Sequence, residues 1–376
     1  MQRREFLKLT AVCGMLAHAG RGIAGSAEDP QRALIAAAWR GPNPTDTYHA
    51  GVLVADWARK KLEIAYSVPL PTRPHGLTPE ADGSLLVVGV RPGTWLMRIA
   101  PDGQVASQLT MENEASVLLN GHVAIGQGGD VVYTTETDFS SGHGKIGVRD
   151  RVTFKKLDEW ESGGKEPHQL LIDDRGRLVV ANGGIARTRT DQKYDLARMD
   201  SSLTRLDERS GKILQQWTAG DSRLSLRHLA WSEAPDGTRR LGIAMQAEHD
   251  SAEQRRMAPI LAVLEGDELR IPSRSGEGVG YAGDLAAAYN GGFVLSSNQV
   301  GRALLWHPGA PEKLVPVVEL PESYAMAEWH GPKPGGGVLV STALGMVRWH
   351  PTAKPIFLAW PKPMALDNHW TLMQES

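Results

Sequence analysis

The chain has 376 residues, and its 41 lysines and arginines nearly balance its 43 aspartates and glutamates, which leaves a net charge of −2. Without a basic field or a run of lysine and arginine, this balance excludes nucleic acid as the partner. The 41 glycines and 23 prolines are spread between short Val, Leu and Ile runs. That pattern is typical of many short strands joined by tight turns.

The first predicted element is an export signal. Residues 3–8, Arg-Arg-Glu-Phe-Leu-Lys, precede an apolar stretch at residues 9–17 that is too short to span a bilayer. The twin arginine resembles a Tat signal, whose machinery exports folded proteins. We therefore expect residues 1–27 to be a signal peptide and residues 28–376 to form one domain in the periplasm. Cys13, the only cysteine, falls in the signal, so the exported protein is expected to have no disulfide and no membrane span.

An internal repeat follows the signal. Each copy begins with an apolar strand, which is followed by a turn at glycine or aspartate and by a second apolar strand. Successive copies start 47, 46, 60, 56 and 41 residues apart, which suits four-stranded propeller blades. The copies start at His75, His122, His168, His228, Asp284 and Ala325. The third and fourth copies carry long charged insertions, residues 183–195 and 246–256, and such loops on a rigid ring commonly hold binding groups.

The two ends of the domain supply one further blade. Residues 33–39, 51–56 and 62–68 are predicted to be three strands, and the C-terminal segment from His369 matches the start of the repeat. Joining the last strand to the first leaves no sheet edge open. The sequence therefore predicts an all-β, seven-bladed β-propeller, closed by pairing of the N- and C-terminal strands within one blade.

The first strand of each propeller blade lines the central channel, so equivalent positions on successive blades form a ring. Five neighbouring blades place an imidazole on this ring, the sixth a carboxylate and the seventh an alanine. Because imidazole binds iron, copper and zinc, the ring predicts a site for a transition metal, iron or copper, or for a small metal complex. The predicted metal ligands are His75, His122, His168, His228, His369 and Asp284. Two alternatives stay open, namely a bound anion paired with imidazolium groups, and histidines that only hydrogen-bond their own blades.

Three other charged residues are candidates for binding a cofactor at the channel mouth. Arg227 directly precedes His228 and could neutralise an acidic ligand group or Asp284, while a structural salt bridge fits equally. Glu248 lies in the second insertion, and Glu136 follows a predicted strand, where an ordinary solvated loop is the alternative. No catalytic residue is assigned, because the sequence has no Ser/His/Asp motif, Walker loop, Rossmann fingerprint or zinc-finger spacing.

Five stretches resemble the exported proteins of the domain-of-unknown-function 1513 family, and the resemblance covers nearly all of the mature chain. They are residues 134–138, 144–148, 166–170, 179–185 and 226–230, of which Asn-Gly-Gly-Ile and Arg-His-Leu are the most specific parts. The resemblance implies a propeller-like fold, a frequent Tat signal and no settled activity. Members tend to be encoded beside imelysin-type periplasmic iron-uptake proteins, which implies a role in iron or other metal handling. Glu248-His249-Asp250 departs from the family pattern, so the resemblance assigns no role to that loop.

Three functions are consistent with these features. The first is a periplasmic protein that binds a metal ion or small metal complex in the channel and serves iron acquisition beside other iron-uptake proteins. Tat export fits this function, because folding before export lets a cofactor be inserted inside the cell. The second is a metal-assisted lyase or oxidoreductase that uses the same channel. The third is a non-catalytic platform that binds a protein partner in an uptake complex.

Overall fold

Short apolar runs between turn residues become strands because neighbouring blades can bury both of their faces; all five residues of Leu85–Gly89, for example, are buried. A computed structural model of the protein describes residues 32–112, 115–273, 276–329 and 336–373. These residues form seven four-stranded antiparallel sheets around a central channel, which confirms the predicted seven-bladed propeller. The predicted signal peptide at residues 1–27, with Cys13, lies outside the described residues.

Each blade has one inner strand beside the channel and three strands that follow it outward. The described residues begin with the outer three strands of blade 7, which are β1 (Arg32–Arg40), β2 (Tyr48–Asp56) and β3 (Lys61–Pro69). Blade 1 consists of β4 (Pro74–Pro79), β5 (Leu85–Gly89), β6 (Trp95–Ile99) and β7 (Val105–Thr110). Blade 2 consists of β8 (Val117–Ile125), β9 (Val131–Asp138), β10 (Gly144–Asp150) and β11 (Lys156–Glu161). Blade 3 consists of β12 (Pro167–Ile172), β13 (Arg177–Asn182), a small hairpin of β14 (Ala186–Arg187) and β15 (Lys193–Tyr194), then β16 (Ser202–Asp207) and β17 (Ile213–Trp217).

The second half of the chain repeats this arrangement. Blade 4 consists of β18 (Leu224–Glu233), β19 (Arg239–Ala247), helix α1 (Ala252–Met257), β20 (Leu261–Glu265) and β21 (Glu268–Arg270). Blade 5 consists of β22 (Leu285–Ala288), β23 (Gly292–Ser297), β24 (Arg302–Trp306) and β25 (Val315–Glu319). Blade 6 consists of β26 (Met326–Trp329), β27 (Gly337–Thr342), β28 (Gly345–His350) and β29 (Ala353–Ala359), and β30 (Ala365–Leu372) is the inner strand of blade 7. Short 3-10 turns occur at Leu196–Arg198, Gly276–Gly278, Tyr289–Gly291 and Asn298–Val300.

The ring closes where the sequence predicts. Strand β30 pairs antiparallel with β1, with Leu372 opposite Ile35 and Trp370 opposite Ala37. Blade 7 is therefore built from both ends of the domain, and its neighbours on either side complete the circle. In the part of the chain that the structure describes, no helix has the length and apolar character needed to cross a bilayer.

Apolar clusters hold the blades together. One cluster joins Trp39 and Trp370 of blade 7 to Trp329 and Leu339 of blade 6. Another joins β1 of blade 7 to β5 and β6 of blade 1. Because each cluster draws side chains from two neighbouring blades, burial of apolar surface stabilises the ring as a whole as well as each sheet.

Three inner strands begin earlier than the sequence predicts. Strands β8, β18 and β30 start four or five residues before the histidine at which each was predicted to start. In β8 the strand continues through Gly121, whose φ of +102° is open to glycine and strained for other residues. A Cβ at Gly121 would also lie 2.7 Å from Cδ2 of His75. The prediction of these starts was wrong because an irregularity inside a strand resembles a strand boundary in sequence.

Replacing Trp370 by alanine tests the closure of the ring. Trp370 is 3% exposed and links β30 to blade 6. We expect Trp370→Ala to lower the free energy of unfolding by about 3–5 kcal/mol, because a large buried side chain is lost and a cavity remains. Urea denaturation followed by fluorescence measures this change. Leu344→Ala, at a side chain that is 49% exposed, is the control and should change stability by less than about 0.5 kcal/mol. Equal effects of the two substitutions would contradict closure by packing.

Candidate metal centre

Each of the five channel histidines lies in an irregular stretch of its inner strand. Pairing with the adjacent strand shifts register around all five positions. The shifts fall between Pro74 and Leu77, Leu119 and Val123, Pro167 and Leu170, Leu226 and Leu229, and, for β30, within residues 367–369. A β-bulge leaves its residue out of the ladder and turns the side chain in a new direction. The same backbone feature in five blades therefore turns five imidazoles toward the channel axis.

The five imidazoles converge on one another. Following the ring from His369 through His75, His122, His168 and His228, successive ring centroids are 4.7, 4.7, 5.1 and 4.6 Å apart. The circuit closes directly from His228 to His369 at 4.4 Å, although two blades without a ring histidine lie between them in the ring order. None of the five is more than 8% exposed. The convergence predicted from the repeat is thus present in the structure.

Two groups of side chains each bring potential ligand atoms close enough together to bind one ion. One potential ligand atom from each residue of a group falls within 4.8 Å of the others. The groups are His75, His122, His168 and His228, and His228, Asp284 and His369. His228 belongs to both groups. All six predicted ligands are therefore buried side by side, and they could hold a metal ion.

Asp284 fixes the orientation of His369. Its Oδ1 lies 3.3 Å from Nδ1 of His369. The two carboxylate oxygens also accept hydrogen bonds from the backbone N–H groups of Leu285, at 2.9 Å, and Met326, at 2.8 Å. A carboxylate behind one imidazole nitrogen holds the proton there and leaves the lone pair on the other nitrogen, as in many metal sites. This contact therefore leaves the lone pair on Nε2 of His369, where it can bind a metal ion.

Four of the imidazoles have a buried nitrogen without a hydrogen-bond partner among the described residues. These atoms are Nδ1 of His75, Nε2 of His122, Nδ1 of His228 and Nε2 of His369. An unpaired buried polar group costs about 1–3 kcal/mol. Coordination of a divalent ion by imidazole lone pairs would satisfy Nε2 of His122 and Nε2 of His369, so these atoms fit a transition metal.

Burial keeps these imidazoles in the neutral form that binds metals. Burial lowers the pKa of His75, His122 and His228 well below 6.5, and the neighbouring imidazoles and arginines lower it further. The pKa of His168 is lowered in the same way, first by burial and then by His228 and Arg227.

A buried charged cluster of Arg91, Glu166, Arg187 and Arg227 contacts His168 on the side of the ring that carries the two insertions. Oε1 of Glu166 contacts Arg227 at 2.9 Å, Arg91 at 3.3 Å and the Nε of Arg187. Burial raises the pKa of the Glu166 carboxyl, but the three guanidinium groups outweigh burial and lower it to about 2. Glu166 also has a φ of +51°, a strained conformation that such buried contacts can hold. Arg91 and Glu166 were not predicted to belong to the site; for Glu166 the available signal was the Glu-Pro-His motif at residues 166–168.

The three candidate cofactor residues lie in different places. Arg227 is 1% exposed and contacts Glu166 and Nδ1 of His168, at 3.5 Å. Glu248 lies in the second insertion, where Lys193 donates to its Oε1 at 2.5 Å. Arg227 thus lies beside the imidazoles, whereas Glu248 forms an ion pair with Lys193 of the β14–β15 hairpin in the first insertion.

Glu136 lies inside blade 2, apart from the imidazole cluster. Its carboxylate accepts from Arg149 at 2.7 Å, Lys156 at 2.6 Å and the hydroxyl of Thr134 at 2.7 Å. The side chain is fully buried within strands β9 to β11, so it is not the solvated loop residue of the alternative. These contacts are those of a structural ion pair that joins neighbouring strands.

The channel opens differently on the two sides of the imidazoles. On the far side from the insertions, a cavity of about 770 Å³ is lined mainly by apolar inner-strand residues and reaches His122, Asp284 and His369. On the insertion side, a smaller cavity of about 200 Å³ is lined by Arg91, Glu166 and other polar residues. The apolar funnel therefore reaches the imidazoles directly, whereas the charged pocket lies behind His168, whose Nδ1 contacts Arg91.

Comparisons with known proteins place the fold and the family. The model of a family described as "Protein of unknown function (DUF1513)" matches residues 68–373. Among solved structures, the chain is similar to hydrazine synthase of Kuenenia stuttgartiensis, with a TM-score of 0.57 and 13% identity over 86% of this chain and 96% of that chain. It is also similar to a streptogramin B lyase, with a TM-score of 0.53 and 11% identity over 85% of this chain and 92% of that chain. At these identities the likeness shows the fold alone. No curated protein sequence matches the chain.

The low pKa of the buried imidazoles predicts how stability depends on pH in metal-free protein. The unfolded chain protonates these histidines near pH 6.5, whereas the fold keeps His75, His122, His168 and His228 neutral to lower pH. The free energy of unfolding is therefore at its maximum above pH 6.5. As the pH decreases below 6.5, it decreases by up to about 1.4 kcal/mol per pH unit for each imidazole. Urea denaturation between pH 7.5 and pH 5 measures the slope. His122→Asn should reduce it by one proton, and parallel curves for wild type and variant would contradict the assignment.

Proposed function

The chain belongs to the DUF1513 family, and we propose that it is a periplasmic protein whose channel binds a transition-metal ion or small metal complex in iron acquisition or metal handling. The observation that carries this proposal is the convergence of buried histidines, which bring potential ligand atoms to within 4.8 Å of one another. Six buried donors exceed the needs of one ion, which takes three or four side chains and keeps the other positions for water or a ligand.

The donor set favours a transition metal over calcium or magnesium. Imidazole nitrogen suits iron, copper and zinc, whereas harder ions require oxygen ligands. The one carboxylate in the set, Asp284, already accepts two backbone N–H groups and orients His369. Bound metal would supply a positive charge and open coordination positions, while the imidazoles would hold it and the blades would exclude bulk water.

The periplasmic location and the link to iron uptake rest on the sequence. The twin arginine at residues 3–4 supports export of the folded protein, and export after folding suits a protein that takes up its metal before it crosses the membrane. The partners in this proposal are a metal ion or small metal complex and other periplasmic iron-uptake proteins.

A second candidate, a metal-assisted lyase or oxidoreductase, is favoured by the apolar funnel. The cavity of about 770 Å³ leads to His122, Asp284 and His369 and has the volume of a small-molecule site. An organic substrate in this funnel would lie against the imidazoles. Turnover that needs both the metal and an open funnel would distinguish this candidate from storage or transfer of the metal.

The proposal predicts stoichiometric metal binding by the mature protein. Protein purified from periplasm, or stripped with a chelator and titrated with iron(II) or copper(II), should bind one ion per chain. His122→Asn and His369→Asn should each weaken binding at least about tenfold, because each removes one donor. His143→Asn, at a side chain that is 62% exposed outside the cluster, is the matched control and should leave affinity unchanged. Protein that is metal-free as purified and binds neither ion on titration would overturn the proposal.

A further inference from the structure

His168 differs from the other imidazoles in what lies behind it. Its Nδ1 lies 3.2 Å from Nη1 of Arg91 and 3.5 Å from Nη1 of Arg227. A guanidinium group has only hydrogen-bond donors and stays protonated in proteins. Nδ1 of His168 must therefore accept, and it carries a lone pair instead of a proton.

The charged cluster holds Arg91 firmly in this position. Its Nε contacts Asp191 at 3.2 Å and Glu166 at 3.3 Å. Arg227 is anchored on the same Glu166 oxygen at 2.9 Å. These ion pairs aim both guanidinium groups at one imidazole nitrogen, so they act as positioning residues for His168.

The proton of the neutral His168 ring must then reside on Nε2. This atom points into the cluster, 2.8 Å from Nε2 of His228 and 3.3 Å from Nε2 of His75. A nitrogen that carries a proton has no lone pair for a metal. His369 shows the opposite arrangement, because a carboxylate behind it leaves Nε2 with the lone pair.

We propose that His168 is the hydrogen-bond donor of the metal centre instead of one of its ligands, and that its Nε2–H binds a small anion held on the metal. This inference rests on the proposed function, since it assigns a role within the same site. The metal ligands are then drawn from His75, His122, His228 and His369. His228 and His75 would hold the metal through their Nε2 lone pairs, which are the two acceptors near Nε2 of His168. The Nε2–H of His168 would then be free to donate to the bound anion.

The charge around His168 favours an anion. Arg91, Arg187 and Arg227 face the two carboxylates of Glu166 and Asp191. Three positive and two negative charges leave one positive charge directly behind the imidazole. In a buried site this charge stabilises a negative ligand in front of the ring.

The first test measures the tautomer of His168 without any metal. Histidine-labelled ¹⁵N spectra of the metal-free mature protein distinguish the two tautomers, and loss of one pair of signals in His168→Gln assigns the residue. We expect His168 to carry its proton on Nε2. A proton on Nδ1 would overturn the proposal whether or not the protein binds metal.

The second test separates metal binding from anion binding, with cobalt(II) and azide as probes. Cobalt(II) affinity should stay within about threefold of wild type in His168→Gln and His168→Leu, and fall at least about tenfold in His228→Asn. Azide affinity of the cobalt-loaded protein should fall about tenfold or more in His168→Leu, which has no donor. It should be retained in His168→Gln, whose amide N–H lies near the position of Nε2.

The outcomes distinguish the role inferred for His168 from the proposed metal-binding function. A loss of cobalt affinity in His168→Gln as large as that in His228→Asn identifies His168 as a ligand and overturns the inference, while metal binding stands. Equal azide affinity in His168→Leu and wild type also overturns it. Wild-type protein that binds no cobalt(II), iron(II) or copper(II) overturns the proposed function itself.

Discussion

The site depends on one constraint: a closed ring of blades brings five imidazoles to a common axis and buries them there. Imidazoles whose ring centroids lie 4.4–4.7 Å apart cannot be protonated together without a large cost, because like charges repel. Burial holds the pKa of His75, His122, His168 and His228 well below 6.5, so these four remain neutral. Several nitrogens of the ring are unpaired among the described residues. The packing between blades, as in the cluster around Trp39 and Trp370, stabilises a fold that tolerates this arrangement.

The surroundings of the ring give its imidazoles different roles. A carboxylate behind His369 leaves a lone pair pointing inward, whereas a guanidinium behind His168 leaves an N–H pointing inward. Donors and acceptors therefore face the same small space. The charged cluster around Glu166 lies behind His168, and the apolar funnel reaches His122 and His369, so side chains of different character surround the centre.

Much of the fold could be predicted because the repeat shows which positions are equivalent in successive blades. The spacing of the copies fixed the number of blades, and the orphan strand from His369 revealed how the ring closes. The convergence of the histidines could be predicted as well, because they occupy equivalent positions on the inner strands. The starts of β8, β18 and β30 could not be predicted, because the bulges at Gly121 and its counterparts interrupt the strand pattern without ending the strand.

The charged half of the site was harder to predict from sequence. Arg91 reaches His168 from a loop of blade 1, and no motif connects the two positions. Glu136 was a candidate from its place near a predicted strand end, but its side chain lies against Arg149 within its own blade. Long-range contacts of this kind depend on side-chain direction, which local patterns do not specify.

X-ray absorption at the metal edge tests the central claim most directly, because it counts the imidazoles bound to one ion. The mature protein loaded with one equivalent of zinc(II) should show three or four imidazole nitrogens at about 2.0–2.1 Å, with the multiple scattering typical of that ring. A spectrum with one imidazole or none, or one that matches hydrated zinc, would contradict a shared metal centre on the channel axis.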